Sequence, residues 1–512
     1  MNRLFIVVIA CLMLLVARHA VAQSRLLPPY DIGTPDVAAL YVSPQGDDNA
    51  DGTAAESAVR SLSEALRRIP RGEDLTQGVH IFIAPGDYST GDLTPHYIES
   101  IHGTASAPVI IEASGGQDTV FLAPLNLFDA RYVYLLNVNV ASAADPFHCE
   151  QCDHLLLRGN TFTGSDPETY ETQETVKINQ STNIYVEDNL ISGAWDNAVD
   201  FVAVQGGHFI GNRIFNAGDW CMYLKGGSAD FIVTANEIFD CGTGGFTAGQ
   251  GTGFQFMTPP YLQYEAYDIA FIDNLIHDTQ GAGIGVQGGY RILVAANTMV
   301  EVGARSHLLE VVHGHRSCDG QPGDEGRDRC EAYLAAGGWG TTVVDDGTNY
   351  VRIPNREVVI ANNIVVNTVT PSAYQVFTIF GPFDDAPNLG SGVPSPALAD
   401  EALYIVGNAI WNAGEARPLG IEPGFESGCA ETNPTCNLAQ VGRDNSIDAL
   451  ANLLANPSAG DYSLTSVVPA VPVPAFAPWD VPVPETDSVR TALGLLAAYA
   501  SAGALTMTQG GG

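Results

Sequence analysis

Lysine is almost missing from this sequence: of its 22 basic residues only two, Lys177 and Lys225, are lysines, and the other 20 are arginines. A residue used so sparingly is a candidate for a specific task. Lys225 stands in the stretch GDWCMYLKGG, residues 218–227. A free lysine amine titrates at about 10.4, so it serves as a base only where burial or nearby cations depress that value. Carboxylates that would hold such a cation are close in sequence, since Asp196 lies seven residues after Asn189 and Asp219 seven after Asn212. In consecutive turns of a stacked chain the two would sit one above the other, roughly 5 Å apart. Stacked carboxylates repel unless one is protonated or a cation lies between them, and calcium is the hard cation that oxygen ligands take outside cells. Asp200, in the same turn as Asp196, supplies a third ligand to this expected Ca2+ site.

Further candidates fall at related positions. Lys225 is thirteen after Asn212 and precedes Gly226-Gly227, and Gln287 is thirteen after Asn274 and precedes Gly288-Gly289, which marks an outward polar column. Lys177, twelve before Asn189, is placed to bind a carboxylate of a ligand, with an ion pair to Glu171 or Glu174 as the plainer use. Arg305 and His307 alternate in a strand and so share a face. The arginine would grip a carboxylate bidentately and the histidine would protonate a leaving oxygen. Three turns separate them from Lys225, about 14 Å, which suits a neighbouring subsite. Tyr264, in the insert PPYLQYEAYD, offers an aromatic wall for a ligand, or else packs the insert onto the scaffold.

The elements that must position these residues announce themselves as a repeat. The pattern apolar, any, apolar, any, any, Asn, any, apolar ends on Asn160, Asn189, Asn212, Asn236, Asn274, Asn297, Asn363 and Asn408, at intervals of 29, 23, 24, 38, 23, 66 and 45 residues. The recurring 23 to 24 is one solenoid turn of about three short strands, and longer intervals are a turn with loops or several turns with a degraded motif. The alternation is a strand signal, and an asparagine just past the strand tolerates a bend while bonding to equivalent backbone in the next turn. The fold class predicted is all-β, a right-handed parallel β-helix. A propeller would repeat at about 40 residues, and a sandwich would not repeat one asparagine.

Residues 61–69, SLSEALRRI, put Leu62, Ala65, Leu66 and Ile69 on one helical face and read as a cap over the open end of the coil. The predicted organisation is a signal peptide over 1–22, an N-terminal segment with the capping helix over 23–78, the β-helix over 79–465, and a proline-rich tail over 466–512 that packs along the coil or beyond it. Composition after about residue 485 predicts no fixed structure.

Residues 1–22 have a basic start, an apolar run from Leu4 to Val16 too short to span a bilayer, and Ala20-Val21-Ala22 as a cleavage site, so secretion is expected. Without them the formal charge moves from −36 to −38. So acidic a chain lacks the clustered cations that nucleic acid needs. Eight cysteines remain, paired by spacing as Cys149 with Cys152, Cys221 with Cys241, Cys318 with Cys330 and Cys429 with Cys436. A monomer free of membrane is expected.

YVSPQGDDNADGT (41–53), the SLSEAL helix, HIFIAPGDY (80–88) and GTASAPVIIEA (103–113) together resemble the opening of secreted β-helix proteins of the pectate-lyase-like superfamily, particularly bacterial polysaccharide lyases. Members of that group use a basic residue, in several branches a lysine, to take the proton beside a uronate carboxylate, while calcium or positive side chains neutralise that carboxylate. The resemblance thus implies a lyase that cleaves an acidic polysaccharide by β-elimination, with Lys225 as base. The alternatives are a glycoside hydrolase on the same fold, although no NTD motif occurs, and a surface protein that binds glycans without cutting them. The Asp-Pro-His of related uronate epimerases is here Asp145-Pro146-Phe147.

Overall fold

In a computed structural model, residues 25–115, 119–165, 174–318, 320–342, 351–384, 392–479, 487–497 and 499–504 are described. The proposed signal peptide, 1–22, lies outside them, as does Glu171. Three long parallel sheets of twelve, twelve and ten strands wrap one core. The central turns each contribute a strand to every sheet in the same order. One turn runs Thr182–Glu187 in sheet 1, Leu190–Ala194 in sheet 2 and Val199–Val202 in sheet 3. The next runs Gln205–Ile210, Arg213–Ala217 and Trp220–Lys225. The fold is the parallel β-helix that the repeat predicts.

The asparagines occupy the bend between sheets 1 and 2 and are buried. Each accepts, through Oδ1, a bond from the backbone N–H of its counterpart one turn earlier. Asn189 receives the N–H of Asn160 at 2.9 Å, Asn212 that of Asn189 at 3.0 Å, and Asn236 that of Asn212 at 2.9 Å. The Nδ2 group donates back to a strand carbonyl, as Asn236 does to Phe209 O at 3.1 Å. The residue that turns the corner is the one before the asparagine: Asp188, Ala235, Asp273, Ala296 and Asn362 are all left-handed, with φ between 54° and 58°. Asn297 receives nothing from a missing intermediate turn; its own N–H reaches Asn363 Oδ1 at 3.0 Å, so the 66-residue interval is one turn carrying a long insert. The ladder also extends to Asn445, which the motif did not flag.

Four helices are described: α1 (Leu62–Arg67), α2 (Glu325–Ala335), α3 (Leu438–Asp444) and α4 (Ser488–Leu496). Helix α1 starts at Ser61, whose hydroxyl accepts from Glu64 N at 3.0 Å, and its buried Leu62, Ala65 and Leu66 join the solenoid core as the expected cap. Stacking begins before residue 79, because Val37–Val42 pairs in parallel with Gly78–Ile83. The tail departs from expectation beyond residue 485. Helix α4 buries Val489, Ala492 and Leu496 against Ile232, Ala270 and Leu293 on the outside of sheet 1, and Asp268 accepts the N–H groups of Ser488 and Val489. An apolar stripe on a single short helix was masked, in sequence, by the Pro- and Gly-rich composition around it. All four disulfides pair as the spacing predicts.

The outer faces of the three sheets differ. Sheet 1 is covered by residues near the N-terminus, including Tyr30 against Tyr134 and Tyr185, and by the tail with α4. Sheet 2 carries Leu275, Val300 and Ile364 under Leu453, Leu454 and Val468. Sheet 3 instead presents polar side chains. Since a buried amide left unpaired costs roughly 1–3 kcal/mol per group, Asn236→Ala, which orphans Asn212 N and Phe209 O, is expected to lower the urea midpoint clearly while exposed-face substitutions do not.

Candidate active site

Parallel pairing without a register shift lines the outward residues of sheet 3 into columns. One column runs His148, Lys177, Asp200, Tyr223, Thr247, Gly285 and Glu310. Two residues further along the strands, Asn179, Val202 and Lys225 form the next. Both lysines of the chain therefore stand on the outside of this one sheet, two turns apart.

Lys225 is half-buried at the end of its strand. Its Nζ donates to Tyr223 Oη at 2.9 Å and to Gln250 Oε1 at 3.1 Å. Tyr223 shares its face because it lies two residues back in the same strand. Gln250 comes from the segment that leaves sheet 3 and builds a wall with the strands Gly251–Gly253, Gly314–Ser317 and Val351–Ile353. Two positions of the amine nitrogen are thus held by the protein. Lys225 is on the outward ledge, as its register with Gln287 implied.

Around it sit the acids. Lys177 Nζ donates to Glu174 at 3.0 Å and lies 3.8 Å from Asp200 Oδ2, so the plainer of its two expected uses is the one observed. Asp200 is buried, and burial pushes its carboxyl up to about 7; Lys225's charge opposes the push most strongly among its neighbours. Asp145 is raised to about 6, by burial and then by Glu174. Asp196 and Asp219 do stack in adjacent turns, with Asp219 N bonded to Asp196 O at 3.0 Å. Burial, and then the Asp219 charge, raise the Asp196 carboxyl. Tyr223 is pushed well up by burial and then by Asp200.

The expected Ca2+ site finds no matching donor set. Among the described residues no three His, Cys, Asp or Glu side chains are grouped so as to hold a metal ion. Asp196 and Asp219 are in the turn ahead of the strands, whereas Asp200 lies within its strand beside Lys177. The Lys177 ammonium lies between Glu174 and Asp200. No step below runs through calcium.

Farther along the same face, Gln287 Nε2 donates to Glu310 Oε1 at 2.9 Å, and His307 Nε2 pairs with Glu310 Oε2 at 2.8 Å. Glu310 is three turns from Tyr223 in one column, about 14 Å. Arg305 and His307 are not in a strand: residues 303–306 form a turn that opens at left-handed Gly303, and Arg305 donates to Gly242 O at 2.8 Å. Trp220 fills the interval. A Cβ on Gly244 would come within 2.3 Å of its ring, and one on Gly285 within 2.8 Å, so both glycines are there to let the indole lie against the sheet. Tyr264 does not line this face. It is buried, stacked on Tyr290 at 4.8 Å and edge-on to Trp339 at 5.0 Å, outside sheet 1. Tyr223, Gln250 and Glu310 escaped notice in the sequence, although Tyr223 is legible from strand alternation once Lys225 is placed outward.

Residues 125–258 match the family model described as a right handed beta helix region. The chain is a right-handed β-helix. No curated protein matches the sequence. Among solved structures the β-helix is similar to a rhamnogalacturonan lyase at 12% identity, covering 72% of this chain and 87% of that one with a TM-score of 0.39. It is similar to pectate lyase Pel9A at 12% identity, covering 79% and 87% with a TM-score of 0.39. It is also similar to PfbA, a surface adhesin of Streptococcus pneumoniae, at 9% identity, covering 69% and 75% with a TM-score of 0.36. These likenesses concern the coil and do not select a chemistry.

The Asp200 carboxyl yields a test. Its folded value, about 7, is above its ordinary 3.8, so the stability it contributes is complete below about pH 4 and is lost as pH rises through about 7. The melting temperature of the wild type should fall across that window, and Asp200→Asn should flatten the fall.

Proposed function

We propose that the outer face of sheet 3 binds an acidic polysaccharide and cleaves it by β-elimination, with Lys225 as the base. The observation that carries this reading is the setting of the Lys225 amine, which is outward, held by Tyr223 and Gln250, and has its third position unclaimed by either. In the neutral amine, whose two N–H groups are the ones given to Tyr223 and Gln250, that position is the lone pair, and it receives the proton removed from the carbon beside the uronate carboxylate. Tyr223, at 2.9 Å from the amine, is the hydroxyl nearest to pass a proton on to the departing sugar oxygen. Lys177 and the neutral form of Asp200 leave the cluster less negative below about pH 7 than its number of acids suggests, which favours approach of a uronate.

One observation favours a second reading. A buried carboxyl raised to about 7, Asp200, is a proton donor at neutral pH, which glycoside hydrolysis needs. The two readings part in one experiment. The protein is incubated with pectate, alginate and glycosaminoglycans, and both the ultraviolet absorbance of an unsaturated uronate and the reducing ends are followed. Elimination gives both signals, and Lys225→Ala should lower the rate by about 10²–10⁴-fold. Reducing ends without the absorbance establish hydrolysis and overturn the lyase. Retention of the polymer with neither signal establishes a binding protein.

A further inference from the structure

Three consecutive links on the sheet 3 face are not used by the elimination. Ser306 Oγ lies 2.8 Å from His307 Nδ1, His307 Nε2 lies 2.8 Å from Glu310 Oε2, and Glu310 Oε1 receives Gln287 Nε2 at 2.9 Å. A carboxylate only accepts, so the proton in the second link is on Nε2. That leaves Nδ1 as a lone pair, and Ser306 is the donor in the first link. The imidazole is thereby fixed in the one tautomer that can take a proton from the serine hydroxyl. Glu310 is fixed in turn by Gln287 and by the tight fit over Gly285, where a Cβ would stand 2.9 Å from Oε1. Ser306, His307 and Glu310 are all part-buried rather than sealed in the core.

We infer that Ser306, His307 and Glu310 form a nucleophile, base and orienting group for hydrolysis of an acyl ester, with O-acyl groups on a glycan lying along the same face as the natural substrate class. Only the choice of a glycan rests on the function proposed above; the ester chemistry stands on the three side chains. Ser306 Oγ attacks the ester carbonyl carbon as its proton passes to His307 Nδ1. The resulting oxyanion is met by Arg305, the adjacent exposed residue, whose guanidinium has five N–H donors, one of them given to Gly242 O. The carbon–oxygen bond to the sugar then breaks, and the departing oxygen takes the proton from His307. Water, deprotonated by the same nitrogen, attacks the acyl-serine, releasing the carboxylic acid and restoring Ser306. No oxidant or metal enters the balance.

The test uses the whole protein and a fluorophosphonate probe, which phosphonylates an activated serine. Intact mass and peptide mapping are expected to show one adduct, on Ser306, absent in Ser306→Ala and formed about 10²–10⁴-fold more slowly in His307→Gln. Hydrolysis of p-nitrophenyl acetate should rise with pH along a single imidazole titration in the wild type, a dependence that a merely structural histidine would not produce. If Ser306→Ala fails to fold, the adduct position in the wild type still decides the matter. Absence of an adduct on the folded wild type, or an adduct elsewhere, overturns the inference. Because neither probe contains a uronate, a negative result here leaves the elimination reading to its own assay.

Discussion

The whole molecule depends on the buried asparagine ladder. A parallel strand pair needs its partners aligned at the start, and a slip by one residue would turn every core side chain outward. At each bend between sheets 1 and 2 an asparagine amide is taken out of water, and its bonds are complete only when the next turn's asparagine is opposite it. Slippage would break several buried bonds at once. The constraint is local to the bend, so the chain is free to add length elsewhere: 66 residues intervene between Asn297 and Asn363, yet the two meet at 3.0 Å.

Fixed register has a functional consequence. Because the turns do not drift, residues 23 or 24 apart fall into columns, and Lys177, Asp200 and Tyr223 become neighbours although nothing in their local sequence links them. The inserts then choose which face stays open. Aromatic and aliphatic clusters close over sheets 1 and 2, while the long insert after sheet 3 stands up as a wall that carries Gln250 to Lys225. The polar columns of that face run along the axis of the coil, beside the wall.

How far this was legible in the sequence follows from the range of each interaction. The ladder, the cap at Leu62–Arg67, the disulfides and the outward placement of Lys225 all follow from short spacings. The stacking of Asp196 on Asp219 follows as well, because equal turn lengths force it. The grouping of Asp196, Asp200 and Asp219 did not, since equal height in the coil says nothing about which way a carboxylate points, and Asp200 lies beside Lys177. Arg305 and His307 were misplaced as strand residues because Gly303 opens a turn there. Tyr264 and α4 depend on docking between segments far apart in sequence, which no periodicity records. The partners of Lys225 were half visible: Tyr223 by alternation, Gln250 not at all, since it arrives from the next turn.

The account's central claim is that a sugar acid lies over Lys225 on the face of sheet 3. The most direct measurement is a crystal structure of the Lys225→Ala protein soaked with an oligouronide matched to its substrate. The account predicts the sugar chain running parallel to the coil axis beside the Gln250 wall, with the carbon next to one carboxylate within about 3–3.5 Å of the space vacated by the amine. A sugar bound over sheet 1 or sheet 2, or crossing sheet 3 with its carboxylates turned away from position 225, would contradict it.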